Sequence, residues 1–472
     1  MQTPSEPRQA PVADDPQKLV YFHTFGCQMN VYDTGKMKAQ LTADGFTTTD
    51  DPTEADLVLL NTCSIREKAV DKMLSKLGEH RARKRKGQRV TIGIAGCVAQ
   101  ERGQELMDRF PDLDLVFGPD GVPHVKDLVA RAMGGQRVVD TDFLDLENYP
   151  FIQDVDPSDH GVSAFVTIQK GCDNKCTFCI VPSTRGVEAS RPHQQIVQEC
   201  RDLVARGVQE IVLIGQNVNS YGLKVPGEKT FAQLLYAVAE VPGVERIRYT
   251  TSHPRDMGAD VVQAYRDLPQ LASGLHLPVQ SGSDRVLRRM KRFYTRDGYL
   301  RLVDDLRSAR PDIALSTDII VGFPGETDDD FAETMSLLEA VRFHSAFSFC
   351  FSPRPGTPAL RLLERDQEVP KDISKQRLAV YQARQRTISL ANNRQMEGRV
   401  LDVLVEGPGR HGEGIICGRT SCFKTVNFPG SLDLVGQTVS VQLTRAFTNS
   451  FRGERVEAGR PLRSLQDIAG HR

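Results

Sequence analysis

Gly171-Cys172-Asp173-Asn174-Lys175-Cys176-Thr177-Phe178-Cys179 sets three cysteines in the spacing C-x3-C-x2-C on one short run. Thiolates are the ligands of iron–sulfur clusters, and a [4Fe–4S] cube ordinarily takes four. Three on one loop can hold three irons and leave the fourth without a protein ligand. An open iron can bind and reduce a small molecule, so the cluster becomes a catalyst and not an electron relay. Zinc asks for four N/S ligands, usually as two cysteine pairs. No second pair follows this run. The run comes directly after Ala164-Phe165-Val166-Thr167-Ile168, which reads as a strand. Chemistry at the end of a strand is characteristic of α/β folds.

Upstream, residues 18–134 alternate short apolar runs with helical stretches. Residues 19–22, 57–60, 91–95 and 113–117 read as strands, and 31–43 and 67–77 as helices. Such alternation predicts a doubly wound parallel sheet. Cys27, Cys63 and Cys97 lie in this block, 36 and 34 residues apart. That step is one βαβ unit, about 30 residues or more. Each cysteine follows a predicted strand, and parallel strands end on the same edge of a sheet, where open α/β sheets place their ligands. The spacing therefore predicts three converging thiolates and a second cluster with an open iron. The other reading is three buried core cysteines.

Downstream, residues 158–392 carry further strand–helix units, with strands at 210–214, 246–250, 274–279, 316–321 and 346–349. With the strand before the cysteine run this makes six units, short of the eight of a closed barrel. A partial (β/α)6 barrel is expected. Its strand ends lead into polar or Gly-containing runs: 215–222, 252–254, 280–283 and 322–327. Together they would line one mouth. From Arg394 the period changes to alternation at 399–405, 425–428 and 435–441. This predicts a small antiparallel β-barrel over 394–460, a common nucleic-acid-binding appendage. Nine Lys/Arg against seven Asp/Glu in that span make charge a weak argument for RNA.

The 472 residues allow several domains, and 39% hydrophobic content suffices for real cores. A net charge of −1 favours no class of partner. Ten cysteines, clustered in a long chain, point to a reducing compartment, here the cytoplasm. Residues 1–17 are polar and Pro-rich, which predicts a disordered tail and not a signal peptide, and 461–472 read as a second tail. No apolar run reaches the ~18 residues of a membrane span. Cys200, Cys350, Cys417 and Cys422 fit no ligand pattern and read as packing residues. His23 and His276 read as hydrogen-bonded core histidines. The basic stretches 81–86 and 285–292 read as solvated helix ends or as phosphate-tracking surfaces.

Seven runs carry a family resemblance: residues 24–30, 61–69, 96–100, 169–182, 215–222, 277–283 and 352–359. In content and order they resemble the radical S-adenosylmethionine (SAM) methylthiotransferases. The resemblance is strongest to the branch that makes the 2-methylthio derivative of N6-isopentenyladenosine beside the tRNA anticodon. It implies two [4Fe–4S] clusters. Cys172, Cys176 and Cys179 would hold the one that cleaves SAM; Cys27, Cys63 and Cys97 would hold an auxiliary one carrying the sulfur to be inserted. Two SAM would be used per turnover, one as methyl donor and one as source of a 5′-deoxyadenosyl radical. No side chain would act as catalyst beyond the clusters. Gln216, Asn217, Gln280, Ser281 and Gly322, on the strand-end loops, would contact SAM. The third domain would be a tRNA-binding barrel of the TRAM type, and residues 419–428 fit the tRNA branch. A low-potential donor such as flavodoxin or ferredoxin would supply electrons to a monomer. The alternatives are the same chemistry on a ribosomal-protein aspartate or on threonylcarbamoyladenosine in tRNA, and a non-catalytic iron–sulfur RNA-binding protein.

Overall fold

The computed structural model describes residues 18–64, 67–145, 149–152, 161–365, 368–410 and 412–456. The two expected tails, the domain boundary near 158 and Ile65-Arg66 of the second resembling run lie outside the described residues. The chain divides into two compact units, 1–144 and 145–472.

In the first unit β1 (Lys18–Phe25), β2 (Phe46–Thr48), β3 (Leu57–Thr62), β4 (Thr91–Ala95), β5 (Leu115–Phe117) and β6 (Val138–Asp140) form one sheet. Its order is β2-β1-β3-β4-β5-β6, with every pairing parallel. β3 is buried along its whole length. A strand covered by helices on both faces reads as a continuous apolar run, which is why LVLL was legible. β2 and β6 have three residues each and gave no sequence signal. The sheet also runs past residue 134, where the sequence reading ended this block. The chain passes from β1 to β2 on one side and returns to β3 on the other. The crevice between the carboxyl ends of β1 and β3 is therefore the topological switch point, the ligand position of such sheets.

In the second unit β7 (Ser163–Thr167) is followed by a two-residue pair, β8 (Gln169–Lys170) and β9 (Ala189–Ser190), which brackets the cysteine run. β10 (Glu210–Ile214), β11 (Arg246–Tyr249), β12 (Gly274–His276), β13 (Ala314–Val321) and β14 (Ser345–Cys350) complete six parallel strands. The halves β7-β10-β11 and β12-β13-β14 are joined by a bridge between Ile247 and Leu271. This is the expected partial (β/α)6 barrel. One large core, with Ile211, Leu213, Ile247, Leu275, Leu315 and Ile319 among its members, fills the space between strands and helices.

β15 (Val400–Pro408), β16 (Ile415–Thr420), β17 (Thr425–Pro429), β18 (Thr438–Ala446) and β19 (Ser450–Arg455) close a five-stranded barrel in the order β15-β16-β17-β19-β18. Val403, Val405, Ile416, Val426, Phe428, Leu443 and Phe451 fill it. β16 and β19 escaped the sequence reading because Cys417-Gly418 and Arg452-Gly453 look like turn residues. The β16–β17 turn seals the amino end of the larger barrel. Arg246 at the start of β11 donates to the Arg419 carbonyl (3.0 Å), the Ser273 amide to Ser421 Oγ (2.9 Å), and Lys424 Nζ to the His344 carbonyl (3.3 Å). The small barrel leaves the carboxyl end of the larger one uncovered. Among the described residues no helix is long and apolar enough to cross a membrane.

Candidate functional site

The three cysteines of the first unit stand just beyond the carboxyl ends of β1, β3 and β4, neighbouring strands of the sheet around its switch point. Cys27 follows β1 and occupies the cap position of the helix Gln28–Ala43; Cys97 opens the helix Cys97–Arg109. Helix amino ends favour thiolate over thiol. Cys63, directly after β3, is buried. Two buried asparagines tie the loops together. Asn30 Nδ2 donates to Asn61 Oδ1 (2.9 Å), Asn61 Nδ2 returns to the Asn30 carbonyl (2.8 Å), and Cys27 Sγ donates to Asn30 Oδ1 (3.3 Å). Gly96 carries this clamp to the third loop. It has φ +90°, and a Cβ there would lie 2.3 Å from Asn61 Oδ1. A Cβ on Gly26 would lie 2.5 Å from Cys63 Cβ, so the first two loops also touch directly. Residues distant in sequence thus share one site. The asparagine clamp was missed, although both asparagines stand in cysteine motifs, because polar residues beside a cysteine read equally well as turn residues.

In the second unit the run 171–179 is pinned from several sides. Gly171 has φ +71°, and a Cβ would fall 1.9 Å from the Val187 carbonyl oxygen. The Cys172 amide bonds the Gly186 carbonyl (3.2 Å) and the Thr177 amide the Met290 carbonyl (3.1 Å). Thr177 Oγ1 donates to the Arg289 carbonyl (3.0 Å). Burial pushes the Cys172 thiol up to about 11 and the Cys179 thiol up to about 12, with the neighbouring cysteines adding to both. Such thiols stay protonated unless a cation or a metal centre compensates them. Arg292 brings a cation to this run: Nη1 lies 3.4 Å from Cys176 Sγ, and its charge opposes the rise at Cys179. Among the described residues no three His, Cys, Asp or Glu side chains converge on one ion-sized point. A cube takes one thiolate at each iron and makes no such demand. Three thiols on fixed loops, in both places, are a donor set that fits a cube.

Beside the second set lies a cavity of about 270 Å³, bounded by Asp173, Asn174 and Lys175 of the cysteine run, by Glu188 just before β9, and by residues after β10, β11 and β12. Asn217 lines it and donates to Asp256 Oδ2 (2.7 Å). Glu188 lines it too, its carboxyl held above the usual carboxylate range by burial, against the pull of Ser220 and Lys224. Glu188 Oε1, Asn217 Oδ1 and, on the adjacent residue, Gln216 Oε1 are buried and lack a protein hydrogen-bond partner. Such atoms call for a polar partner, a ligand or an ordered water. An anionic Glu188 suits a sulfonium or an ammonium group. Non-glycine residues in the left-handed region mark this end of the barrel: Thr251 (φ +70°), Gln280 (φ +72°), Lys291 (φ +55°) and Phe293 (φ +57°). Strained backbone of this kind gathers at functional sites.

The predicted SAM contacts fall into two groups. Asn217 borders the cavity, and Gln216 adjoins it. Gln280 is buried and bridges Ile319 through its backbone. Ser281 is engaged with Thr334 and accepts the Ser283 amide (3.2 Å); Gly322 packs on Ser374 and donates its amide to Glu326 Oε1 (3.0 Å). These last three shape the strand ends from behind. Glu188, Lys224 and Asp256 of the cavity were missed, because isolated polar residues in loops carry no pattern.

The basic stretches are not simply solvated. Arg81 and Arg85 pair with Asp112, and Lys84 with Asp114. Arg285 pairs with Asp330, and Arg292 is buried. His276 bonds Ser316 Oγ through Nδ1 (3.0 Å) and faces Asp318 (3.4 Å), as a hydrogen-bonded strand histidine should.

Six parallel strands in a partial barrel, with a C-x3-C-x2-C loop at a strand end, define a radical SAM enzyme. The radical SAM superfamily model matches residues 166–338, the TRAM domain model 394–456, and the model described as uncharacterized protein family UPF0004 residues 19–118. In fold the chain is similar to the radical SAM methyltransferase TsrM of Kitasatospora setae, solved with cobalamin and a [4Fe–4S] cluster. The TM-score is 0.57 at 15% identity, covering 74% of this chain and 78% of that one. The cobalamin-dependent SAM radical enzyme OxsB is similar at a TM-score of 0.51 and 13% identity, over 74% and 55% of the two chains. Sequence likeness goes further. The tRNA-2-methylthio-N(6)-dimethylallyladenosine synthase of Syntrophus aciditrophicus (strain SB) is 44% identical over 443 residues, 93% of this chain and 94% of that protein. The chain belongs to the radical SAM methylthiotransferase family.

Proposed function

We propose that this protein inserts a methylthio group at C2 of N6-isopentenyladenosine beside the tRNA anticodon, consuming two SAM per turnover. The observation that carries this reading is near full-length likeness to a synthase of that name, joined to two cysteine triads, each held at the carboxyl ends of parallel strands. When bound, two clusters and SAM would supply the electron, the radical and the sulfur; an unactivated aromatic C–H bond is beyond any side-chain base.

The chain's own residues bind and orient. Cys172, Cys176 and Cys179 would hold one cluster, and Cys27, Cys63 and Cys97 the other. Asn30 and Asn61 fix the loops of the second triad, and Gly171 lets the first run pass close to Val187. Glu188, Asn217 and Gln216 offer the polar atoms that the methionine end of SAM requires. Gln280, Ser281 and Gly322 support the same mouth from its rear. The TRAM barrel is the part suited to tRNA, and its phosphate contacts would make affinity fall with salt. A low-potential flavoprotein or ferredoxin would fit as donor to a cytoplasmic, monomeric enzyme.

The test is mass spectrometry of nucleosides from tRNA incubated anaerobically with reconstituted protein, SAM, sulfide and a reductant. The 2-methylthio derivative of the prenylated base is expected. Unprenylated tRNA should react poorly, since a pocket shaped for the prenyl chain loses about 1–3 kcal/mol for even one missing methylene. Modification of a ribosomal-protein peptide instead, or equal reaction of unprenylated tRNA, would overturn the substrate assignment.

A further inference from the structure

We infer that Arg292 is a positioning residue that sets how readily the centre held by Cys172, Cys176 and Cys179 accepts an electron. The inference rests on the cluster reading above and adds a residue to it. Arg292 is 5% exposed. Each of its three nitrogens is committed: Nη1 to Cys176 Sγ (3.4 Å), Nη2 to the Pro278 carbonyl (2.9 Å), Nε to the Tyr294 hydroxyl (3.0 Å). Tyr294 is itself tied to the Val279 carbonyl (2.8 Å). The planar fork is thus bolted to the end of β12 and cannot swing away from the sulfur.

Among the described residues no carboxylate pairs with Arg292. Burying a cation without a counter-charge is strongly unfavourable. The partner the structure offers is the Cys176 sulfur, a counter-charge only as a thiolate. The backbone is shaped for the purpose. Lys291 and Phe293, on either side, both hold positive φ, which turns Arg292 inward while Phe293 stays 65% exposed at the cavity rim. Two strained non-glycine residues around one buried arginine persist only where the surroundings demand that conformation.

The physical effect has a definite sign. A fixed positive charge and an N–H donor beside a ligand sulfur stabilise the more negative, reduced cluster, and hydrogen bonds to the sulfurs are a known lever on potential. Removing both makes reduction harder. Arg292→Gln keeps a donor and loses the charge; Arg292→Lys keeps the charge and loses the fork.

The test uses the full chain with Cys27, Cys63 and Cys97 changed to Ala, so that one centre remains, reconstituted anaerobically. Iron is counted, and the midpoint potential is read by electron paramagnetic resonance during a titration with dithionite as the one-electron reductant. Arg292→Gln should disfavour reduction at least tenfold, a fall of at least 59 mV for one electron. Arg292→Lys should shift it less, and Arg288→Gln, exposed on the same segment, should leave it unchanged. A Gln variant that loses iron while the Lys variant keeps iron and a potential within tenfold also supports the charge role. A fully loaded Gln variant at the parental potential overturns the inference, as does loss of iron from both Gln and Lys variants. A parent without iron sinks the cluster reading itself, before any Arg292 variant is compared.

Discussion

The guanidinium of Arg248 lies 3.1 Å from the centroid of the Phe423 ring, and that of Arg419 packs on the same ring at 4.2 Å. Arg248 belongs to β11 of the large barrel and Phe423 to the β16–β17 turn of the small one. Burial lowers Arg248 to about 10, although Glu210 pulls the other way. The ring therefore covers a poorly hydrated cation, the setting in which such contacts are worth most. The TRAM barrel is a stopper as well as an appendage.

Phe423→Ala should destabilise the second unit by about 1–2 kcal/mol, read as a shift in its urea midpoint. Ending the chain before Arg394 should cost more, since Arg246, Ser273 and Arg248 would all lose partners. A truncated chain that unfolds at the parental midpoint would show that the stopper carries no load.

Anaerobic reconstitution should load about eight irons per chain, as two cubes of four. Changing either cysteine triad to Ala should leave about four. Loss of Cys27, Cys63 and Cys97 should spare reductive SAM cleavage and abolish methylthio product, whereas loss of Cys172, Cys176 and Cys179 should abolish both. A wild-type protein that never exceeds four irons would refute the two-cluster reading.

Gly96→Ala should halve the iron content and keep SAM cleavage, because the new methyl group would press on Asn61 at a backbone angle of φ +90°. Gly171→Ala should remove the other half and the cleavage with it, through the Val187 carbonyl. Iron analysis beside a 5′-deoxyadenosine assay reads both; full loading of either variant would contradict the geometry.

His253 is buried against Tyr294, and its Nδ1 accepts the Arg255 amide (3.2 Å). Burial, then Arg292, push its pKa down to about 3, with Asp256 opposing. The unfolded chain takes up this proton near 6.5 and the folded one only near 3, so the unfolded state binds more protons between these values. Stability from this group is full above pH 6.5 and drains away as pH falls, at up to about 1.4 kcal/mol per unit. His80 and His344, both lowered to about 4, act in the same sense. Denaturation of His253→Gln against wild type from pH 7 to 4.5 isolates the His253 share: the variant should lose less. Parallel curves would mean that His253 titrates normally.

Much of this architecture is written in local patterns. Long apolar strands such as β3 and β10 announce themselves, and a cysteine one or two residues beyond a strand inherits that strand's position. The three-residue edge strands β2 and β6 do not, and neither does a strand such as β19, whose SFRGER alternates only once folded. The two cysteine triads stood out because their spacing is a pattern in the sequence. The cavity was only partly so: Asn217 stood in a motif, but Glu188 and Asp256 come from separate loops and meet through the barrel alone. Arg292 was hidden in a basic run because sequence shows charge and not burial.

The two cysteine triads differ in how much chain must be ordered before each exists. Cys172 to Cys179 span eight residues, so three thiols stay near one another even in a loosely folded chain. Cys27, Cys63 and Cys97 become neighbours only after β1, β3 and β4 have paired, and closing such long loops is entropically costly and slow. Iron should therefore arrive at the triads in sequence during refolding, first on the short loop and later on the sheet. Rapid-quench iron analysis of refolding triad variants would show the two phases, and simultaneous filling would contradict them. Under the proposed division of roles, a cell short of iron or time would accumulate chains that can cleave SAM before they can deliver sulfur.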